Sequence, residues 1–397
     1  MRVHFGYVSG LISGIALFLE ILVLLAGCSP APSALSGAVE LATPVDPPES
    51  SSPIPTSTPF APKGTTSTKQ AISTATSSPT LESAAAVIRT ASPVPSFRLM
   101  AVGDLMLART IGDRIQSQGP ETVFAGVSAT LSNADLLTGN LECSLSDLGE
   151  PQPKAYTFAA PEGAASSLAL AGFDLLSLAN NHAMDFGPDA FLKTINVLNE
   201  NGIATAGAGP DERTAHQPAI LERNGLRTAF LAYVDVPVES GSGFDTRSWV
   251  AGAGTPGLAW AEPARIAFDV ASARQRADLV VVFLHGGYER WDEITQAQRD
   301  QAHAAIDAGA ALVLGSHPHV LQPIENYHGG LIAYSLGNFA FDGFDFPENY
   351  SAILSVELGP EGFTSYEWIP VVIDSGLPRL ANPEESGAIL NRVVPLP

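Results

Sequence analysis

Two histidines separated by one proline, His317 and His319, close the segment AALVLGSHPH (310–319), in which an apolar run stops at Gly315. Imidazole nitrogens bind divalent cations or move protons near neutral pH, so the pair raises the question of what else the chain brings beside it. Four other apolar runs end in the same way. RLMAVGD ends at Asp104, ADLLTGNLE at Asn140 and Glu142, FDLLSLANNH at Asn181 and His182, and ADLVVVFLH at His285. Each run is short and rich in Val, Leu, Ile or Phe, the pattern of a buried strand. Open α/β sheets build their ligand sites at the carboxyl ends of their strands. Five strand ends carrying carboxylate, amide or imidazole therefore predict one shared polar site.

The donors are oxygen and nitrogen, with Cys143 an optional thiolate more simply read as a small buried residue. Such a set suits Mn²⁺, Fe²⁺, Zn²⁺ or Co²⁺ and disfavours copper and iron–sulfur centres. Three imidazoles, two carboxylates and two amides exceed what one ion takes from protein. A pair of divalent ions bridged by a carboxylate is the economical arrangement, and such a pair binds and activates water. Around this set, Arg109 is placed either to clamp a phosphate or carboxylate or to pair with a structural acid. Glu289 is a candidate substrate contact. Asn338 either joins the substrate site, orients a ligand histidine or caps a turn.

The elements that must position these residues occupy only part of the chain. Its 397 residues are 45% hydrophobic and 15% charged, ample for a large core. From Phe97 onward, short apolar runs alternate with stretches of helical spacing, an α/β texture. After residue 350, SAILSVELG and TSYEWIPVVID alternate like antiparallel strands, and NPEESGAILN suggests a short helix. We read residues 97–397 as one domain. Residues 29–96, rich in Pro, Ser, Thr and Ala without a period, are expected to form a disordered tether. Residues 1–28 hold an apolar stretch ending in Leu25-Ala26-Gly27-Cys28, which resembles a bacterial lipoprotein signal; Cys28 is then the lipidated residue that holds the protein to a membrane outside the cytoplasm. The alternative is an uncleaved transmembrane anchor, which Glu20 interrupts. A formal net charge of −21 argues against nucleic acid as a partner, and nothing in the sequence sets the oligomeric state.

Five stretches, VGDLMLAR (102–109), GNLECSL (139–145), LANNHAMDFG (178–187), HGGYE (285–289) and GSHPHVLQPIENYHGGLIAYSLGNFAFD (315–342), resemble the motifs of the CapA family of capsule or poly-γ-glutamate biosynthesis proteins, related to calcineurin-like metallophosphoesterases. The resemblance implies a four-layer α/β/β/α sandwich of the metallophosphoesterase type. It implies Asp104 and His319 on a first ion, Glu142 or Asn140 in the bridging region, and Asn181, His285 and His317 on a second. His182 resembles the superfamily's catalytic general acid, with Asp185 placed to hold its imidazole. One departure is Met106, a thioether where the superfamily reads Asp-x-His, which weakens the expected hold on the first ion. Two classes of function remain open: a metal-dependent hydrolase acting on a phosphoester or anionic polymer linkage, and a non-catalytic protein that binds or exports such a polymer.

Overall fold

The computed structural model describes residues 94–239 and 241–396. The signal segment, Cys28 and the tether as far as residue 93 lie outside the described residues.

Two mixed sheets carry the fold. Strands β1 (Phe97–Leu105), β2 (Leu136–Leu141) and β3 (Leu175–Ser177) run parallel in an eight-stranded sheet. Strands β4 (Leu279–Gly286) and β5 (Leu312–Ser316) run parallel at the centre of a six-stranded one. A short strand β6 (Asn338–Ala340) returns to the first sheet and pairs with the end of β1, setting Asn338 opposite Asp104. The alternating segments after residue 350 form antiparallel strands Tyr350–Gly359 and Gly362–Asp374, and the C-terminal helix spans Pro383–Leu390.

The period of two along β4 explains the layering. Val281 and Phe283 face the core shared with the first sheet, together with Leu99, Leu137, Phe230 and Leu314. Val280, Val282 and Leu284 point the other way, onto Ile266, Val270, Ala302 and Ala305 of the helices Pro263–Ala273 and Gln296–Asp307. Both faces of β4 are thus apolar, as expected for a central parallel strand covered on each side. On the outer side of the first sheet, helices Ala164–Ala171 and Gly187–Glu200 contribute Leu168, Phe191 and Leu198. The result is a four-layer α/β/β/α sandwich, the architecture the motifs imply. Among the described residues no helix is long and apolar enough to cross a membrane.

Candidate metal centre

The five apolar runs end at one place. Register pairs Asp104 on β1 with Asn140 on β2, and Asn140 with Ser177 at the end of β3; His285 on β4 lies opposite Ser316 on β5. The loop after β5 folds back so that the His317 amide reaches Asp104 Oδ2 at 3.3 Å, and His319 Nδ1 stands 3.3 Å from the same oxygen. His317 and His319 both hold positive φ, 95° and 57°. Non-glycine residues rarely adopt this region, and here it lets one short turn aim two side chains at the same centre.

Two trios of donors result, Asp104 with Glu142 and His319, and Glu142 with His285 and His317; within each, one atom per residue lies within 4.8 Å of the others. Glu142 belongs to both. Its two carboxylate oxygens are buried and accept no hydrogen bond, and Nδ1 of His317 is likewise unpartnered. A buried ionised carboxylate without donors is costly, so this pocket is shaped for a cation. One donor separation agrees, His285 Nε2 to Glu142 Oε1 at 3.4 Å, whereas Asn181 Oδ1 lies at hydrogen-bond distance, 2.8 Å, from His285 Nε2. Ligands sharing an ion at bonds of about 2.1 Å lie about 3.0–3.4 Å apart. The residues fit a divalent ion, and the nitrogen–oxygen chemistry fits Mn²⁺, Fe²⁺, Zn²⁺ or Co²⁺.

The imidazoles and carboxylates of the nest shift one another strongly. Burial alone raises the Glu142 carboxyl, but the His319 and His285 imidazoles outweigh it and hold the group well below the usual carboxylate range. Burial lowers His319, yet the Glu142 charge and the Asp104 hydrogen bond raise it to about 9. His317 is pushed well below its ordinary value, by burial first and then by the neighbouring imidazoles.

Not every expected ligand points inward. Asn140 donates its Nδ2 to Asp104 Oδ1 at 2.8 Å and has its Oδ1 occupied by Asn180 at 3.1 Å. Reversing the amide would set oxygen against the Asp104 carboxylate, so Asn140 steadies Asp104, while Glu142 is the residue common to both trios. Asn338 is fully buried and its Oδ1 meets His319 Nδ1 at 2.8 Å; it orients that imidazole and lines neither of the two clefts beside the nest. Arg109 pairs with Asp342 and its guanidinium lies over Phe158, 4.9 Å from the ring centre. Met106 is buried, its sulfur accepting from the Ala108 amide at 3.3 Å. Burial pushes the Cys143 thiol up to about 12, and its sulfur accepts from the Leu107 amide at 3.4 Å, the setting of a small buried residue.

Beside the donor nest, His182 Nδ1 meets Asp185 Oδ2 at 2.8 Å, and the Phe158 ring lies 4.4 Å from the imidazole. The segment between them is a turn preceding the helix Gly187–Glu200, and it supplies the expected reach. His182, His319, Arg109 and Glu289 line a cleft of about 150 Å³. A larger cleft of about 670 Å³ opens on the His317 side, walled by Tyr288, Glu289, Arg290 and Trp291. Sequence reading missed Asn180, Ser316, Lys154 and Glu239. Asn180 and Ser316 adjoin residues already singled out, and their polarity at a strand end was the available sign; Lys154 and Glu239 lie in loops without a pattern.

Fold and site together define a four-layer α/β protein with a buried imidazole–carboxylate nest at the meeting sheet edges. The family model described as "Bacterial capsule synthesis protein PGA_cap" matches residues 98–343, and the chain belongs to that family. It is 32% identical over 280 residues to the PGA biosynthesis protein CapA of Bacillus subtilis, covering 70% of this chain and 72% of that protein. It is 33% identical over 300 residues to the capsule biosynthesis protein CapA of Bacillus anthracis, covering 74% of this chain and 70% of that protein. The crystal structure of a phosphatase from Mycoplasma pneumoniae aligns with a TM-score of 0.47 at 13% identity, covering 76% of this chain and 100% of that one. The resemblance to CapA proteins read from the motifs is thereby borne out.

Proposed function

We propose that the protein is a metal-dependent hydrolase of the bacterial cell envelope that cleaves a phosphoester or an anionic polymer linkage in capsule or poly-γ-glutamate metabolism. The observation that carries this reading is Glu142, a buried carboxylate shared by two donor trios and without a hydrogen-bond partner, with a His–Asp pair alongside. A pair of divalent ions held there supplies charge neutralisation and an activated water. The chain's own residues do the rest. Asp185 holds His182 through Nδ1 and so leaves Nε2 for the leaving oxygen, to which the imidazole gives its proton as general acid. Asn338 and Ser316 fix the His319 and His285 rings by hydrogen bonds of 2.8 and 2.9 Å. Glu289 lines both clefts and is positioned to contact substrate.

The test is a Mn²⁺-supplemented phosphodiester assay on the purified chain. Turnover is expected, with a loss of about 10²–10⁴-fold in His182→Ala and abolition in Glu142→Gln. Absence of both bound metal and turnover in the wild type would reject the reading. Met106, a thioether packed in the core where a histidine ligand is expected, favours a second reading, a non-catalytic polymer binder with a structural metal. Metal uptake and polymer binding without turnover would select it.

A further inference from the structure

Next to the donor nest lies a buried ion pair. Lys154 Nζ and Glu239 Oε1 are 2.6 Å apart, the lysine side chain wholly shielded from solvent. The same ammonium reaches Asp185 and the Asn181 carbonyl, and it stands 4.8 Å from the centre of the Trp249 ring. Glu239 in turn accepts a hydrogen bond from Asn181 Nδ2 at 3.0 Å, while the other end of that amide, Oδ1, faces His285 Nε2 at 2.8 Å.

An asparagine amide has a donor end and an acceptor end of nearly equal size, so shape does not choose between its two orientations. Glu239 chooses. Turned around, Asn181 would set its oxygen against the Glu239 carboxylate, lone pairs against lone pairs, and present an NH₂ group to the donor nest, where it has nothing to give a cation. Lys154 neutralises Glu239 and offers Asn181 no competing acceptor, because an ammonium only donates. With Nζ also on Asp185, one cation fixes two arms of the site: the carboxylate beneath His182 and the amide that faces His285.

We propose that Lys154 and Glu239 form a positioning pair that locks the Asn181 amide with its oxygen toward the cation pocket while holding Asp185 under His182. The proposal rests on Asn181 serving as a ligand in the function proposed above. Titration of Mn²⁺ into the purified full-length chain tests it, with Glu239→Gln measured in both the native and the Asn181→Asp backgrounds. Glutamine keeps the size but offers either an oxygen or an NH₂ to Asn181, so the amide loses its preferred orientation. Losses of this kind lower metal affinity about 10–100-fold. In the Asn181→Asp background both ends of side chain 181 are oxygen, and Glu239→Gln also relieves a carboxylate–carboxylate contact. There the affinity is expected to stay the same or rise, the signature of direct coupling in a double-mutant cycle. Equal losses in the two backgrounds, or no loss in the native one, overturn the proposal. A wild-type chain that takes up no Mn²⁺ overturns the ligand reading itself, and the role of the pair falls with it.

Discussion

Two imidazoles, separated by a single proline, respond to the same buried setting in opposite directions. His319 faces the Glu142 and Asp104 carboxylates and is raised to about 9; His317 feels burial and its fellow imidazoles more strongly than any anion and is held well below its ordinary value. In the metal-free protein at neutral pH, His319 therefore carries a proton and serves as counter-ion to Glu142, whereas His317 is neutral. A cation entering the first trio must displace that proton. The sign follows from the direction of the shift: because the pKa is raised, release is near one proton for the ion entering the first trio at pH 7.5 and fades as the pH passes 9. Calorimetric Mn²⁺ titration in buffers of different ionisation enthalpy reads this number directly. Release that is already absent at pH 7.5 would mean that Glu142 and Asp104 do not hold His319 charged.

At the scale of elements, the site depends on a glycine within β1, the residue just before Asp104. A Cβ built on Gly103 would stand 1.8 Å from the Gly337 carbonyl oxygen, the same oxygen that accepts from the Asp104 amide at 2.9 Å. The close approach of β1 to the segment before β6 thus requires a residue without a side chain just before the metal-facing aspartate. Gly103→Ala is expected to cost about 1–3 kcal/mol of stability, the range for overpacking a tight interior, and to weaken Mn²⁺ binding by displacing Asp104. Gly163→Ala, where nothing lies within 4 Å of the added carbon, serves as the control and should change neither. Thermal melting and metal titration of the two variants check this; an unaltered Gly103→Ala protein would contradict it. The strands were readable in advance because their apolar runs are short and each ends in a polar residue. Which of two neighbours faces inward was not, since Asn140 and Glu142 both lie at the site and only the hydrogen bonds of the Asn140 amide separate their roles. Lys154 and Glu239 left no trace, because loop residues carry no periodicity and their burial arises entirely from tertiary packing.

For the molecule as a whole, the centre is a seam between two sheets. Asp104 and Glu142 come from the first, His285 and the 317–319 turn from the second, so any ion bound there ties the two halves together. A net charge of −21 draws cations toward this surface and disfavours an anionic polymer except where positive charge is concentrated. The nearby guanidiniums do not supply that charge freely, because Arg109 is paired with Asp342 and Arg290 with Glu348. On the proposed reading the ions themselves provide it. The proposed envelope location has its own test: Cys28→Ser should shift the protein from the membrane fraction to the soluble one, and continued membrane retention would favour the uncleaved anchor. The central claim, a cation pair bridged by Glu142, is tested most directly by anomalous diffraction at the manganese edge from crystals grown with Mn²⁺. Two peaks about 3.5–4 Å apart are expected, with Glu142 between them. No peak, or one remote from Glu142, would contradict it.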